Sequence, residues 1–193
     1  MQSFVVVSGL PGSGKTTLAA ALAACLHAEH LDKDQFLEAH FLEEVDISVE
    51  RRNELSRRAD DEFRERALLL RSAVLSSWWR HPRAVRQSGT PVHWLNASGI
   101  KIVEVFCECP AEVAAHRFES RRRHPGHLDA LRTRKELLEQ LVEAETLGPL
   151  FPGTALVCNT VAPTSPDVVS ALASQVRFLA GTTNEARLAT RSS

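Results

Sequence analysis

The sequence has no long apolar run and no excess of either charge. No stretch approaches the roughly 20 apolar residues that span a bilayer, so it predicts no transmembrane helix. Lysine and arginine number 23 against 24 aspartate and glutamate, and a net charge of −1 does not favour a nucleic-acid partner. The N-terminal residues lack the basic segment of a secretory signal peptide, so we expect a cytoplasmic protein.

Cysteine is also scarce, and its spacing excludes the common redox and zinc patterns. The chain has four cysteines, and none forms a Cys-x-x-Cys pair. Cys107 and Cys109 would share one face of a strand, but two thiols do not make a metal site. We interpret the cysteines as reduced thiols of the interior, as in a cytoplasmic protein.

The order of apolar and polar segments predicts an α/β fold. The 193 residues are 44% hydrophobic and 24% charged, which suits one globular domain. Short apolar runs alternate with longer helical stretches, the pattern of βαβ units around a parallel sheet. We place a single domain at 1–180 and expect the small, polar tail at 181–193 to be disordered.

Strands and helices can be placed from these runs. Thr90-Pro91 starts a short helix, with Thr90 as its cap. Predicted strands span 4–8, 28–31, 73–79, 101–108 and 154–159. Predicted longer helices span 15–27, 34–44, 49–70, 111–123, 132–147 and 166–179.

The segment from Gly9 to Thr16, called the phosphate loop below, matches the pattern G-x-x-x-x-G-K-[ST] without a mismatch. Its glycines let the backbone turn N–H groups toward anionic oxygens, and the helix that follows adds its dipole. Lys15 can reach the β- and γ-phosphates, and the Thr16 hydroxyl can ligate Mg²⁺. We therefore predict that ATP or GTP binds with Mg²⁺ at Gly12, Ser13, Gly14, Lys15, Thr16 and Thr17.

Asp32 and Asp34 follow the second predicted strand. Residues just past the carboxyl ends of strands line the ligand crevice of an open α/β sheet. One aspartate could accept a proton from a substrate hydroxyl, and one could hold Mg²⁺ directly or through water. The sequence does not distinguish which aspartate would accept the proton and which would hold Mg²⁺. In the alternative interpretation, Asp34 caps a helix and its neighbour is solvated.

A basic segment follows the fourth predicted strand. Arg117 and Arg121 are four residues apart and would share a helix face, with Arg123 close behind. The alternative is a solvated basic face. The sequence His-Pro-Gly-His at 124–127 predicts a type II turn, which would bring both histidines beside the arginines and within reach of substrate or phosphate.

Two further groups could form the substrate side. Trp78 and Trp79 follow the third predicted strand; one could pack in the core and the other could stack on a flat or sugar-like substrate. The long third helix carries arginines that could bind an anionic acceptor, although interleaved acidic residues favour a solvated face. These arginines are Arg51, Arg52, Arg57 and Arg58.

The phosphate loop, Asp32-x-Asp34, and Cys109-Pro110 followed by arginines four apart resemble the small P-loop kinases. These include shikimate and gluconate kinases, chloramphenicol phosphotransferase and zeta-toxin-like kinases. The resemblance covers about 4–179 in layout and implies a three-layer P-loop sandwich. Its five-stranded parallel sheet would have the order 2-3-1-4-5, with flanking helices and a helical lid at about 117–131. It also implies transfer of the γ-phosphate of ATP to a hydroxyl of a small molecule.

The same resemblance implies roles for individual residues. Arg117 would lie near the adenine or the α-phosphate, and Arg121 or Arg123 would neutralise charge during transfer. Asp32 would be the base or the magnesium partner. The expected catalytic residues are Lys15, Asp32, Asp34 and Arg121; Arg117 and Arg123 join the phosphate loop in binding the nucleotide, and Thr16 and Asp32 hold the metal.

One departure from the pattern keeps other functions open. P-loop NTPases commonly carry an acidic residue after the third strand, but residues 74–79 read Val-Leu-Ser-Ser-Trp-Trp. Thr16 with Asp32 or Asp34 must then anchor Mg²⁺. The alternatives are a polynucleotide 5′-hydroxyl kinase and a nucleotide-binding regulator or weak ATPase without an acceptor. The sequence leaves a monomer and a homodimer equally open and predicts no membrane partner.

Overall fold

The computed structural model describes the backbone of residues 2–189 and the side chains of residues 2–181. Short 3-10 helices lie at His93–Asn96, Pro125–His127 and Asp129–Leu131. The strands are β1 Gln2–Gly9, β2 Glu29–Asp32, β3 Ser72–Ser76, β4 Ile100–Glu108 and β5 Leu156–Asn159. The longer helices are α1 Lys15–Leu26, α2 Lys33–Phe41, α3 Val49–Leu68, α4 Ala111–Ser120, α5 Arg134–Leu147 and α6 Pro166–Ala189.

The five strands form one parallel sheet in the order β2-β3-β1-β4-β5, which confirms the predicted topology. Val5 of the central strand lies opposite Val74 of β3 and Val103 of β4. Both faces of β1 are covered, which explains its continuous apolar run.

Helices cover the sheet on both faces, because successive side chains of β1 point to opposite sides. Val5 and Val7 pack with residues of α1 and α6, such as Leu18 and Val169. Phe4 and Val6 pack on the other face with residues of α3, such as Phe63. The result is the predicted three-layer arrangement, with the carboxyl ends of the strands at one edge.

Several element boundaries differ from those predicted. Strand β3 ends at Ser76, before both tryptophans, and α4 ends at Ser120 because Arg121 is extended (φ −82°, ψ 143°). Helix α6 continues to Ala189, ten residues past its predicted end at 179, while residues 190–193 of the predicted tail lie outside the described residues. Across residues 2–189, we find no helix with the length and apolarity needed to cross a bilayer.

Two local predictions were wrong. Thr90 does not cap a helix: its hydroxyl donates to Asp60 Oδ1 (2.7 Å), and a 3-10 turn begins only at His93. The segment 124–127 is not a type II turn. Its third residue, Gly126, does not have the positive φ that such a turn requires. Glycine is needed there for close packing, since a Cβ on Gly126 would lie 2.7 Å from the Phe41 ring.

Candidate active site

The phosphate loop joins β1 to the N-terminus of α1. Gly12 and Gly14 have φ of 84° and 90°, a conformation that other residues adopt only with strain. A Cβ on Gly12 would also lie 2.2 Å from the Ala114 carbonyl oxygen, so the loop packs directly on α4. No side chain caps α1 at Gly14, which leaves N–H groups at the helix end for an anionic ligand.

Lys15 lies inside the loop, and its side chain folds back on the loop backbone. Nζ donates to the Leu10 carbonyl oxygen at 2.6 Å, and the residue is only 8% exposed. Burial lowers the pKa of Lys15 to about 8. A bound phosphate would supply the negative charge that this buried ammonium lacks.

Asp32 ends β2 and is buried beside the phosphate loop. It is the N-cap of α2, since Oδ1 accepts the Asp34 N–H (3.1 Å); the capping role weighed for Asp34 belongs to Asp32. Burial, and then the charge of Asp34, raise the pKa of Asp32, while hydrogen bonding by Thr16 opposes that rise. The structure thus places Asp32 next to Thr16.

Asp34 is occupied by an arginine of the segment 121–133, called the lid segment below. Arg123 donates to Asp34 Oδ2 at 2.5 Å and to Asp129 Oδ2 at 3.2 Å. Burial would raise the pKa of Asp34, but Arg123, His127 and Lys33 together outweigh it and hold that pKa below its usual value. Arg123 thus ties the lid segment to α2, and it also lines the same cleft as Lys15.

Arg117 and Arg121 do not share a helix face, because α4 ends between them. Arg117 donates to the carbonyl oxygens of Thr160 (2.8 Å) and Val161 (2.6 Å), just after β5. Arg121 stacks over the Phe118 ring at 4.6 Å and lines the same cleft as Lys15. Within the described residues we find no hydrogen bond or ion pair that occupies its guanidinium.

Both histidines of the lid segment pack it against α2. His127 is buried, and its Nε2 lies 2.8 Å from Glu38 Oε1. The His124 ring stacks on Phe41 at 5.3 Å, and His127 meets the same ring edge-on at 5.2 Å. Their contacts are those of packing residues, although His127 also borders the cleft.

A cleft of about 980 Å³ opens over the phosphate loop at the carboxyl edge of the sheet. Helix α3 turns two faces in different directions: Leu55 and Phe63 are buried, whereas Arg52 and Arg57 line the cleft. These two arginines therefore differ from the solvated face that interleaved charges suggested. The other two follow that expectation, since Arg51 pairs with Glu44 and Arg58 pairs with Glu62.

Sequence reasoning missed an acidic residue near the end of β3. Asp60 of α3 accepts the Thr90 hydroxyl, which itself bonds Ser77 Oγ (2.6 Å) just after β3. Lys33 Nζ lies 3.7 Å from Asp60 and donates to Ser56 (2.7 Å). The signal was helical spacing, because positions 52, 56 and 60 repeat every four residues and share one face of α3.

Of the two tryptophans, one lies in the core and the other lines the cleft. Trp79 is 4% exposed, packs in the core, and donates from Nε1 to the Val7 carbonyl oxygen (3.0 Å). Trp78 is partly exposed and lines the cleft. Both positions follow from the end of β3 at Ser76, which places them at the edge where the cleft lies.

The residues present fit Mg²⁺ held together with a nucleotide. Thr16 and Asp32 are adjacent oxygen donors, which this ion prefers. In the part of the chain that the structure describes, no cluster of three or more His, Cys, Asp or Glu side chains could hold a metal by itself. Phosphate oxygens would therefore have to complete the coordination, as is usual for Mg²⁺.

Comparison with known proteins agrees with this geometry. Residues 4–145 match the family described as AAA domain. A candidate kinase from Chloroflexus aurantiacus J-10-fl is 25% identical, with a TM-score of 0.70 over 92% of this chain and 97% of that one. No curated protein matches the sequence.

Two more distant structures share the fold. A sugar kinase from Janibacter sp. HTCC2649 is 22% identical, with a TM-score of 0.55 over 94% of this chain and 98% of that one. A shikimate kinase from Acinetobacter baumannii, solved with shikimate, is 18% identical, with a TM-score of 0.57 over 95% of each chain. These likenesses confirm the resemblance to small P-loop kinases in fold.

Proposed function

The chain belongs to the AAA domain family, and on that premise we propose that it is an ATP- and Mg²⁺-dependent kinase that transfers the γ-phosphate to a hydroxyl of a small molecule. One observation carries the proposal: one cleft is lined by Lys15 and Thr16 of α1, by Asp32 at the end of β2 and by Arg121 after α4. Their side chains provide cations for phosphate and oxygen donors for a metal, which together suit phosphoryl transfer.

The nucleotide half of the cleft is the phosphate loop with its neighbours. Loop N–H groups and Lys15 would bind the β- and γ-phosphates, and Thr16 and Asp32 would hold Mg²⁺. Bound Mg²⁺ would neutralise charge on the phosphate oxygens. Arg117 fixes the backbone after β5, where it would lie near the adenine of the nucleotide. Arg121 has a guanidinium available for charge that develops on the transferring group.

The acceptor hydroxyl oxygen would attack the γ-phosphorus as the bond from that phosphorus to the β–γ bridging oxygen breaks, releasing ADP. We assign Asp34 to receive the hydroxyl proton, since Asp32 lies beside Thr16 on the metal side. Arg123 and the other positive charges nearby keep Asp34 ionised and therefore able to accept it. A weak base suffices because such transition states are loose and depend mainly on positioning and electrostatics.

The charge of the acceptor half supports an anionic acceptor. Arginine and lysine outnumber aspartate and glutamate along the cleft, although the whole chain has a net charge of −1. Arg52 contributes a buried Nε without a hydrogen-bond partner among the described residues. Burial, and then the charge of Arg123, lower the pKa of Arg52, while the charges of Asp129 and Asp34 oppose that shift. A carboxylate or phosphate on the acceptor would supply a hydrogen-bond partner and a negative charge for Arg52.

Thermal unfolding with ligands tests the proposal. Mg·ATP at a hundred times its dissociation constant should stabilise the protein by about 2.7 kcal/mol, visible as a rise in Tm. The rise should require Mg²⁺ and disappear in Lys15→Ala. A panel of hydroxylated metabolites added with ADP·Mg should then yield further rises for acceptors. A protein that Mg·ATP does not stabilise, or a Lys15→Ala variant stabilised equally, contradicts the proposal.

A further inference from the structure

Beside the cleft lies a second, smaller cavity, called the annex below, which the proposed reaction does not use. Its volume is about 60 Å³, whereas a single water needs only about 10–15 Å³ of such space. It lies behind the phosphate loop, between the segment 78–88 and helix α5. Its walls are mainly apolar and include Leu10, Ala84, Phe106, Ala144, Leu147 and Leu150.

The annex and the cleft adjoin each other. Trp78, Arg86, Ser88 and Gln140 line both cavities and therefore form the boundary between them. Trp78 is the only aromatic side chain of this boundary within the described residues, and it is partly exposed. The indole of Trp78 therefore stands between the acceptor half of the cleft and the annex.

The annex is held open by bonds that do not depend on a ligand. Buried Glu104 accepts the Ser8 hydroxyl and the Leu150 N–H (2.8 Å), so it fixes two residues of the annex floor. Hydrogen bonds attach the segment 78–88 to α5 and the turn after it, including one from Arg83 to the Leu147 carbonyl oxygen. Further contacts are Arg86 to Glu143 (2.9 Å), Gln140 to Ser88 (3.4 Å) and His81 to the Pro149 carbonyl oxygen (3.0 Å).

An apolar cavity preformed beside polar, charged groups is the usual construction of a small-molecule site. A bare polyol would fill the charged cleft but would offer the annex no apolar group. We infer that the annex receives an apolar arm of the phosphate acceptor, a group of a few carbon atoms that passes Trp78. This inference rests on the proposed kinase function and narrows its acceptor to a hydroxyl compound with an apolar substituent.

The test uses 1,2-alkanediols of increasing chain length, from 1,2-propanediol to 1,2-pentanediol, titrated into the protein saturated with ADP·Mg. Indole N–H resonances report binding, with Trp78 identified by Trp78→Phe. Each added methylene buried in the annex should tighten binding about fourfold, hence about fifteenfold over the series. The Trp78 resonance should shift the most.

Filling the annex should abolish this gain. Ala144→Leu and Ala84→Leu add bulk from opposite walls, so each should return 1,2-pentanediol to the affinity of 1,2-propanediol. Val142→Leu is the matched control, because Val142 is exposed on the same helix. Calorimetry should give equal ADP·Mg affinity in all variants.

Three results would overturn the inference: no diol binds, affinity does not depend on chain length, or both filled variants keep the gain. The proposed kinase function is judged separately. It fails if ADP·Mg does not bind to the unaltered protein or if Lys15→Ala binds it equally well, whatever the diols do.

Discussion

The nucleotide half and the acceptor half of the cleft are built in different ways. The proposed nucleotide half is built mainly on one continuous segment, residues 9–16, which would act through backbone N–H groups, glycine conformations and one lysine. The acceptor half consists of side chains brought together from α3, the segment 78–88, the lid segment and α5. Phosphate is common to all reactions of such a site, so a fixed backbone can bind it. The acceptor differs from enzyme to enzyme, and side chains can change without altering the sheet.

The largest expected effect lies in the nucleotide half. Lys15→Ala removes the buried ammonium that would contact the β- and γ-phosphates, and phosphate transfer should fall on the order of 10³-fold. The rate of ADP formation with an identified acceptor measures this. Lys135→Ala is the control, because Lys135 lies on the surface of α5 with its side chain 85% exposed. Equal rates in the two variants would remove Lys15 from the mechanism.

Asp32 and Asp34 lie between the two halves of the cleft, and their substitutions should have different effects on the Mg²⁺ requirement. Asp32→Asn should slow transfer by about 10²-fold and raise the Mg²⁺ concentration needed for half-maximal rate, because Asp32 lies beside Thr16. Asp34→Asn should slow transfer without changing that Mg²⁺ requirement. Asp61→Asn, at an exposed position of α3, is the control. If both variants shift the Mg²⁺ requirement equally, the division of roles is wrong.

The acceptor half should respond through substrate affinity alone. Arg57→Gln removes a cation from the cleft wall and should raise the KM of an anionic acceptor about tenfold, with the KM of ATP unchanged. Arg58→Gln, next in sequence but paired with Glu62 at the surface, should change neither. A tenfold effect in Arg58→Gln, or none in Arg57→Gln, would place the acceptor elsewhere.

The smallest effect is a pH dependence of nucleotide binding. The Lys15 pKa is lowered to about 8 in the free protein, and bound phosphate should raise it again. Binding therefore takes up a proton above that pH, and ADP·Mg affinity should be level below pH 7 and fall about fourfold between pH 7 and 8.5. Calorimetry in buffers of different ionisation enthalpy measures the uptake. Identical pH dependence in Lys15→Ala would assign the proton to another group.

The same contrast explains how much could be predicted from the sequence. The position of the phosphate loop followed from local patterns: an apolar strand, glycines at fixed spacing, then a helix. The sheet order was implied by the resemblance to small P-loop kinases, and the structure confirms it. The position of Asp60 could not be predicted because it belongs to α3 and is held near the end of β3 by a hydrogen bond from Thr90. The bond from Arg123 to Asp34 could not be predicted because the two residues lie 89 positions apart in the chain. Such pairings depend on tertiary packing, which local spacing does not specify.

The end of α4 and the conformation of residues 124–127 were predicted wrongly for a related reason. The basic run at 117–123 was treated as one helix, yet the chain turns at Arg121 so that the lid segment can pack on Phe41 of α2. Gly126 was expected to provide a positive φ, whereas its role is to let the backbone approach that ring. In both places a long-range contact, rather than local propensity, decides the conformation.

The most direct test of the central claim follows the label of ATP carrying ³²P at the γ-position. The protein is incubated with Mg²⁺ and a panel of hydroxylated compounds, anionic and neutral, with and without an apolar substituent. We predict that the label enters an organic product, that EDTA prevents this, and that Lys15→Ala nearly abolishes it. Label found only in inorganic phosphate, at a rate that no acceptor changes, would contradict the claim and indicate a nucleotide hydrolase without an acceptor.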